Sequence, residues 1–235
     1  MEIYAQFLDR INSFEKKELS LGEGDFAGNP SIKKKVDENN EFQAFYGDTV
    51  VFNLDDATKE KLAVCVERLY ELVPECFCEK LVSNTFHMTL HDLSNSPILE
   101  EVAAEIFCNE LKVVEACKNI AAVKIKMRSK YIFNMVNTSL VMGLYPVDEN
   151  EYAKLMRLYS VFDEVKELSY PLTPHITLAY YNVNGFDAKE ARKLETIVRE
   201  LNEDGMEIEL DVKELYYQKF RSMNDYINIF GVKDF

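Results

Sequence analysis

The sequence is poor in positive charge. Of its 235 residues, 27 are Lys or Arg against 41 Asp or Glu, which gives a formal net charge of −14. Because neutralising backbone phosphates supplies most of the affinity for long nucleic acids, this balance argues against a long duplex as a partner. A small anionic substrate, or one end of an RNA, needs only a local positive site and fits the composition better.

Long apolar runs are lacking as well. None approaches the roughly 20 residues that span a bilayer. The sequence begins Met1-Glu2-Ile3-Tyr4, without the basic and apolar segments of a signal peptide. We therefore expect a cytoplasmic protein with no membrane contact, and a monomer. With 47% hydrophobic residues the chain can form a full core, either as one large domain or as two closely packed lobes.

Cysteines are few and odd in number, and reduced thiols are their simplest state. Cys76 and Cys78 are followed by His87 and His91, and the spacing of these two histidines is compatible with zinc. A single residue between the cysteines is tighter than the usual zinc-finger pattern. A zinc site therefore remains an alternative, while the main hypothesis predicts no metal and no cofactor.

Histidine is also scarce, with three residues in the whole chain. Two of the three occur in the same four-residue phrase, His-apolar-Thr-Leu. The phrases cover residues 87–90 and 175–178, and their alternation predicts two strands. Side chains two apart on a strand share a face. Each strand thus presents one imidazole and one hydroxyl on one face, while its apolar residues fix the register. One such phrase alone is usually structural, but two copies argue against chance.

The remaining pattern predicts the same order of elements twice: strand, helix, His-x-Thr strand, helix, strand. The first set comprises a strand over 49–54, a helix from Asp55 or Asp56 to about 73, the His87 strand, a helix over 97–118 and a strand from about 121. The second comprises a strand over 139–145, a helix capped by Asp148, the His175 strand, a helix capped by Asp187 and a strand from about 206. Two further strands complete the chain.

This order predicts an α+β fold built from a duplicated unit. We divide the chain into residues 1–48, with a short N-terminal helix, residues 49–135 as the first lobe and residues 136–235 as the second, with strands exchanged between lobes as an option. The irregular segment 21–47 holds three lysines, Lys33 to Lys35, and several aromatic residues. It is either a solvated surface loop or a lid that approaches a nucleotide.

Two opposed imidazoles suit the cleavage of a phosphodiester. The reaction needs a base for the incoming oxygen, an acid for the leaving oxygen and a counterbalance for the phosphoryl charge. An ordinary histidine pKa of about 6.5 makes both proton transfers accessible near neutral pH. The two threonine hydroxyls can donate hydrogen bonds to the non-bridging oxygens. No step in this scheme requires a metal ion.

The paired phrases resemble the motifs of the two-histidine (2H) phosphoesterase superfamily, which includes LigT-like RNA 2′,3′-cyclic phosphodiesterases. The second phrase, Thr-Pro-His-Ile-Thr-Leu-Ala, is a close match, and the first is Phe-His-Met-Thr-Leu. The resemblance implies a bilobal LigT-like fold, with two antiparallel sheets around a central cleft and helices outside. It implies His87 and His175 as the acid/base pair and Thr89 and Thr177 as phosphate ligands. The implied reaction is metal-independent hydrolysis of a diester at a nucleotide, cyclic nucleotide or RNA terminus.

Four more residues are candidates for substrate binding. His91 shares the face of His87 if the strand continues, and either lines the cleft or caps the strand end. Tyr46 is one of the aromatic residues within segment 21–47, the possible lid. Arg128 and Lys130 lie among four cations at alternate positions, which otherwise form a solvated strand face. A non-catalytic nucleotide- or RNA-end-binding module on the same fold is the alternative function.

Overall fold

The computed structural model describes residues 2–202 and 205–235, and these ranges form five α-helices and eight β-strands. The helices are α1 (Tyr4–Phe14), α2 (Asp56–Leu72), α3 (Leu99–Cys117), α4 (Glu149–Asp163) and α5 (Ala188–Leu201). The strands are β1 (Tyr46–Asn53), β2 (His87–Ser96), β3 (Lys124–Met135), β4 (Ser139–Pro146), β5 (His175–Tyr180), β6 (Glu207–Asp211), β7 (Leu215–Ser222) and β8 (Asp225–Gly231). The predicted order of elements, with its internal duplication, is confirmed.

Three helices begin where a capping aspartate predicts, whereas α3 begins at Leu99, two residues after the predicted Pro97. The Asp55 side chain accepts a hydrogen bond from the Thr58 backbone at the start of α2. Asp148 accepts one from the Glu151 backbone at the start of α4, at 2.9 Å. Asp187 does the same for the first turn of α5. Each carboxylate satisfies backbone N–H groups that have no partner within the helix.

The strands form two antiparallel sheets of four strands each, in the orders β2-β1-β7-β8 and β5-β4-β3-β6. Strands are exchanged between the two halves of the sequence: β3, which ends the first repeat, pairs with β4, and β7, which follows the second repeat, pairs with β1. Each sheet therefore contains strands from both halves of the sequence. This exchange ties the two lobes together through backbone hydrogen bonds.

The two histidine strands occupy equivalent edge positions, β2 in one sheet and β5 in the other, and they contact each other. Their apolar residues face the core, since Met88 and Leu90 on β2 are buried, as are Ile176 and Leu178 on β5. Helix α3 packs on the first sheet and α4 on the second. The predicted α+β bilobal fold around a central cleft is confirmed. Among the helices of the described ranges, none is both long and apolar enough to cross a bilayer.

The segment 21–47 is folded against both lobes. It contains a 3₁₀ turn, Pro30–Lys34, between a bridge that pairs Phe26 with Phe186 and another that pairs Val36 with Phe42. The Phe26 and Phe186 rings stack with their centroids 4.6 Å apart. Buried apolar side chains thus fix a segment that the sequence predicts only as irregular.

Candidate active site

A cavity of about 730 Å³ lies between the lobes, within the size range of small-molecule sites. His87 and Thr89 line it from β2, and His175 and Thr177 line it from β5. The cleft therefore brings together the four residues that the two phrases single out. All four residues lie on β-strands, which hold side chains more rigidly than loops do.

The two imidazoles are oriented by matching hydrogen bonds. His87 Nδ1 lies 2.7 Å from the Thr85 backbone oxygen, and His175 Nδ1 lies 2.7 Å from the Thr173 backbone oxygen. A carbonyl oxygen only accepts, so each Nδ1 carries the proton. In the neutral ring, Nε2 then has a free lone pair. Both histidines are therefore held in the tautomer that can accept a proton from a ligand.

Burial lowers the pKa of both histidines. That of His87 falls to about 4, mainly through desolvation and further through the charge of His175. Desolvation also lowers the pKa of His175. The negative charge of Asp92 opposes both shifts. At pH 7 without ligand both rings are thus neutral, and a bound anion would favour protonation of one of them.

A bulge in β2 determines which residue follows Thr89 into the cleft. Val50 of β1 lies opposite His91 and Val51 lies opposite Thr89, so Leu90 between them is an extra residue. The bulge reverses the alternation and turns His91 inward, where its Nε2 lies 3.2 Å from Asp163 Oδ1. Asp92 lines the cavity instead, and its Oδ2 accepts a hydrogen bond of 2.9 Å from the Tyr170 hydroxyl.

A row of aromatic rings forms one wall of the cavity. The ring centroid of Tyr226 lies 5.1 Å from that of His87, Phe220 lies 5.4 Å from Tyr226, and Phe45 lies 6.0 Å from Phe220. All of these rings line the cavity. Such a wall offers stacking surface to a nucleobase, because every base presents a π-face.

Two cations reach the cavity from outside the His-x-Thr strands. Lys35 comes from segment 21–47, and Arg10 comes from α1. Arg10 Nη1 donates to Thr173 Oγ1 at 3.1 Å, and Nη2 donates to the Leu172 oxygen at 2.8 Å. Arg10 therefore holds the backbone whose carbonyl orients His175. No motif or periodicity in the sequence marks Arg10 as a residue of the cleft.

Comparisons with known proteins support the fold. No family model matches the sequence, and no curated protein matches it. A conserved protein of unknown function from Agrobacterium tumefaciens is 13% identical over 84% of this chain and 90% of its own, with a TM-score of 0.65. E. coli LigT complexed with 3′-AMP is 13% identical over 79% of this chain and 96% of its own, with a TM-score of 0.49. TT0787 of Thermus thermophilus is 12% identical over 78% and 94%, also with a TM-score of 0.49. The superposition on the Agrobacterium tumefaciens protein, with its TM-score of 0.65, shows a shared fold, and at 13% identity it shows the fold alone.

The four additional candidates lie outside the cavity. His91 is buried beneath it, and Tyr46 is half-buried at the start of β1. Arg128 is exposed and pairs with Glu207 at 3.1 Å. Lys130 hydrogen-bonds to Asn12. Segment 21–47 sends Lys35 and Phe45 into the cavity wall, while Lys33 and Lys34 remain exposed.

The cysteines and histidines of the zinc alternative do not form a metal site in the described residues. Within residues 2–202 and 205–235, no group of three or more His, Cys, Asp or Glu side chains is placed to share a metal ion. Cys76 and Cys78 are both buried, and Cys76 Sγ lies 3.8 Å from the Glu190 backbone oxygen. Burial raises the pKa of both thiols to about 12, which disfavours the thiolate that would bind a metal.

Proposed function

We propose that this chain is a metal-independent phosphodiesterase of the two-histidine type. Its substrate would be a 2′,3′-cyclic phosphate or a related diester at a nucleotide or RNA end. The observation that carries the proposal is the matched pair of imidazoles. His87 and His175 line one cavity from two sheets, and each donates from Nδ1 to a backbone oxygen two residues earlier.

The pair can divide the two proton transfers of hydrolysis between them. One neutral imidazole takes a proton from the attacking water through Nε2, while the other, protonated, gives a proton to the leaving oxygen. The low pKa of both free rings means that this second proton enters with the substrate, whose negative charge favours an imidazolium. After the reaction the first ring carries the proton and the second is neutral.

The threonines complete the arrangement. Thr89 and Thr177 lie two residues after each histidine on the same strand face and line the same cavity. Their hydroxyls can donate to the non-bridging oxygens as charge develops, and one such donor typically contributes a few kcal/mol or less. These side chains supply a base, an acid and charge stabilisation without a metal ion. The ring wall of Phe45, Phe220 and Tyr226 favours a nucleoside as the attached group.

The test is turnover with a defined substrate panel. Purified protein would be incubated with chelator present against cyclic mononucleotides, cyclic dinucleotides and short RNAs with cyclic phosphate ends. We expect one class to be opened to a monoester, with His87→Gln and His175→Gln each slowing turnover about 10² to 10⁴-fold. Melting temperatures near wild type would show that both variants fold. Full activity in either variant would refute the acid/base pair, and binding without turnover would favour the non-catalytic module.

A further inference from the structure

Segment 21–47 contributes one cation, Lys35, to the cavity. The two preceding lysines serve as internal controls. Lys33, Lys34 and Lys35 are consecutive, yet Lys35 alone of the three is half-buried and lines the cavity. The backbone around it is fixed. Lys35 N donates to the Ile32 oxygen at 2.9 Å, and Gln43 N donates to the Lys35 oxygen at 3.0 Å. The side chain therefore enters the cleft from a defined position.

Lys35 bridges the two lobes through aromatic rings. Its Nζ lies 5.2 Å from the ring centroid of Phe45, which precedes β1, and 5.1 Å from that of Tyr180, the last residue of β5. Both separations are within the range of cation–π attraction. The rings hold the ammonium at the cavity without consuming its hydrogen-bond donors, so the N–H groups stay available to a ligand.

The charge of Lys35 has no carboxylate partner. Across the part of the chain that the structure describes, no Asp or Glu oxygen lies within ion-pair distance of its Nζ, whereas Lys154, Lys166 and Lys219 each pair with a glutamate at 2.6 Å. Burial lowers the pKa of Lys35, and the negative charge of Asp92 opposes that shift. An ammonium that has lost water and gained no counterion gains strongly from a bound anion.

We propose that Lys35 is an anion-binding residue of the cleft and that it contacts a phosphate oxygen of the substrate. The identity of the substrate rests on the proposed function, whereas the binding of an anion by Lys35 rests on the cavity alone. The oxygen belongs either to the reacting diester between the histidines or to a second phosphate elsewhere on the ligand. In both cases the determinant comes from segment 21–47, outside the two His-x-Thr phrases.

Binding of inorganic phosphate tests the inference without requiring turnover. Lys35→Met keeps the length of the side chain and removes its charge, and Lys34→Met is the matched control in the same turn. Titration calorimetry should show Kd raised about tenfold or more by Lys35→Met, because hydrogen bonds to a charged group are among the stronger ones. Lys34→Met should stay within about twofold of wild type, since an exposed cation contributes little. Equal phosphate binding by wild type and Lys35→Met, or none by wild type, would overturn the inference.

Two substrates then identify the source of the oxygen. Adenosine 2′,3′-cyclic phosphate carries the reacting diester alone, and its 5′-phosphorylated form carries a second phosphate. If Lys35→Met weakens the binding of both nucleotides equally, Lys35 contacts the diester. If it weakens only the binding of the 5′-phosphorylated nucleotide, Lys35 contacts the added phosphate. If Lys35→Met weakens phosphate binding but the wild-type protein turns over no substrate, the proposed function is refuted and the anion site stands.

Discussion

Replacing Glu15 by glutamine should stabilise the protein at neutral and alkaline pH. Glu15 follows α1 and is 2% exposed, and within the described residues neither carboxyl oxygen has a hydrogen-bond partner. It packs on Gly143 of β4, where a Cβ would lie 2.3 Å from Glu15 Oε2. Burial raises the pKa of Glu15 from 4.5 to about 8, against the opposing charges of Lys130 and Arg10.

The magnitude follows from proton linkage. Above pH 4.5 the unfolded chain releases the Glu15 proton, whereas the folded chain keeps it up to about pH 8. Unfolding then releases a proton, so stability falls as pH rises through this window. At about 1.4 kcal/mol per pH unit, the folded state loses about 3 kcal/mol by pH 7 and more than about 4 kcal/mol by pH 8. Glutamine does not ionise and avoids this loss.

The assay is urea denaturation of wild type and Glu15→Gln at pH 5, 7 and 8. The difference in unfolding free energy between the two proteins should grow in favour of the variant by about 3 kcal/mol from the lowest pH to the highest. Ser20→Ala, at an exposed position nearby that does not ionise, is the control and should give a difference that stays constant. A constant difference for Glu15→Gln would refute the assignment of a buried, protonated carboxyl group.

Three further predictions concern the cleft and its supports. The pH profile of kcat/KM should be bell-shaped, with its optimum below pH 6.5. Burial lowers the pKa of both His87 and His175, and the active enzyme carries one proton on this pair. An optimum above pH 7 would contradict this prediction. Arg10→Lys should lower kcat/KM about tenfold or more, because lysine lacks the fork that holds the backbone before His175; unchanged kinetics would refute it. Gly47→Ala should cost about 1–3 kcal/mol in urea denaturation, because a Cβ there would lie 2.2 Å from the backbone oxygen of Ser94. An unchanged stability would refute this close packing.

Local patterns were sufficient to predict much of this molecule. Alternation around each His-x-Thr phrase predicts a strand with the histidine and threonine on one face, and the structure places all four side chains in one cavity. The capping carboxylates of Asp55, Asp148 and Asp187 mark the starts of three helices. These features depend on residues within a few positions of one another, which is why a sequence reveals them.

Features set by distant contacts were not predictable. The bulge at Leu90 depends on pairing with β1, and it turns His91 inward and brings Asp92 into the cleft. Lys35 differs from Lys34 only in what folds around it. Arg10 reaches the backbone before His175 across 162 positions of sequence. Periodicity carries no information about such long-range packing.

The most direct test of the central claim is the kcat of four proteins: wild type, His87→Gln, His175→Gln and the variant with both changes. Groups that act as a unit on one phosphorus atom give strongly non-additive losses. We predict that the double variant is about as slow as the slower single variant. A loss in the double variant equal to the product of the two single losses would contradict a joint mechanism.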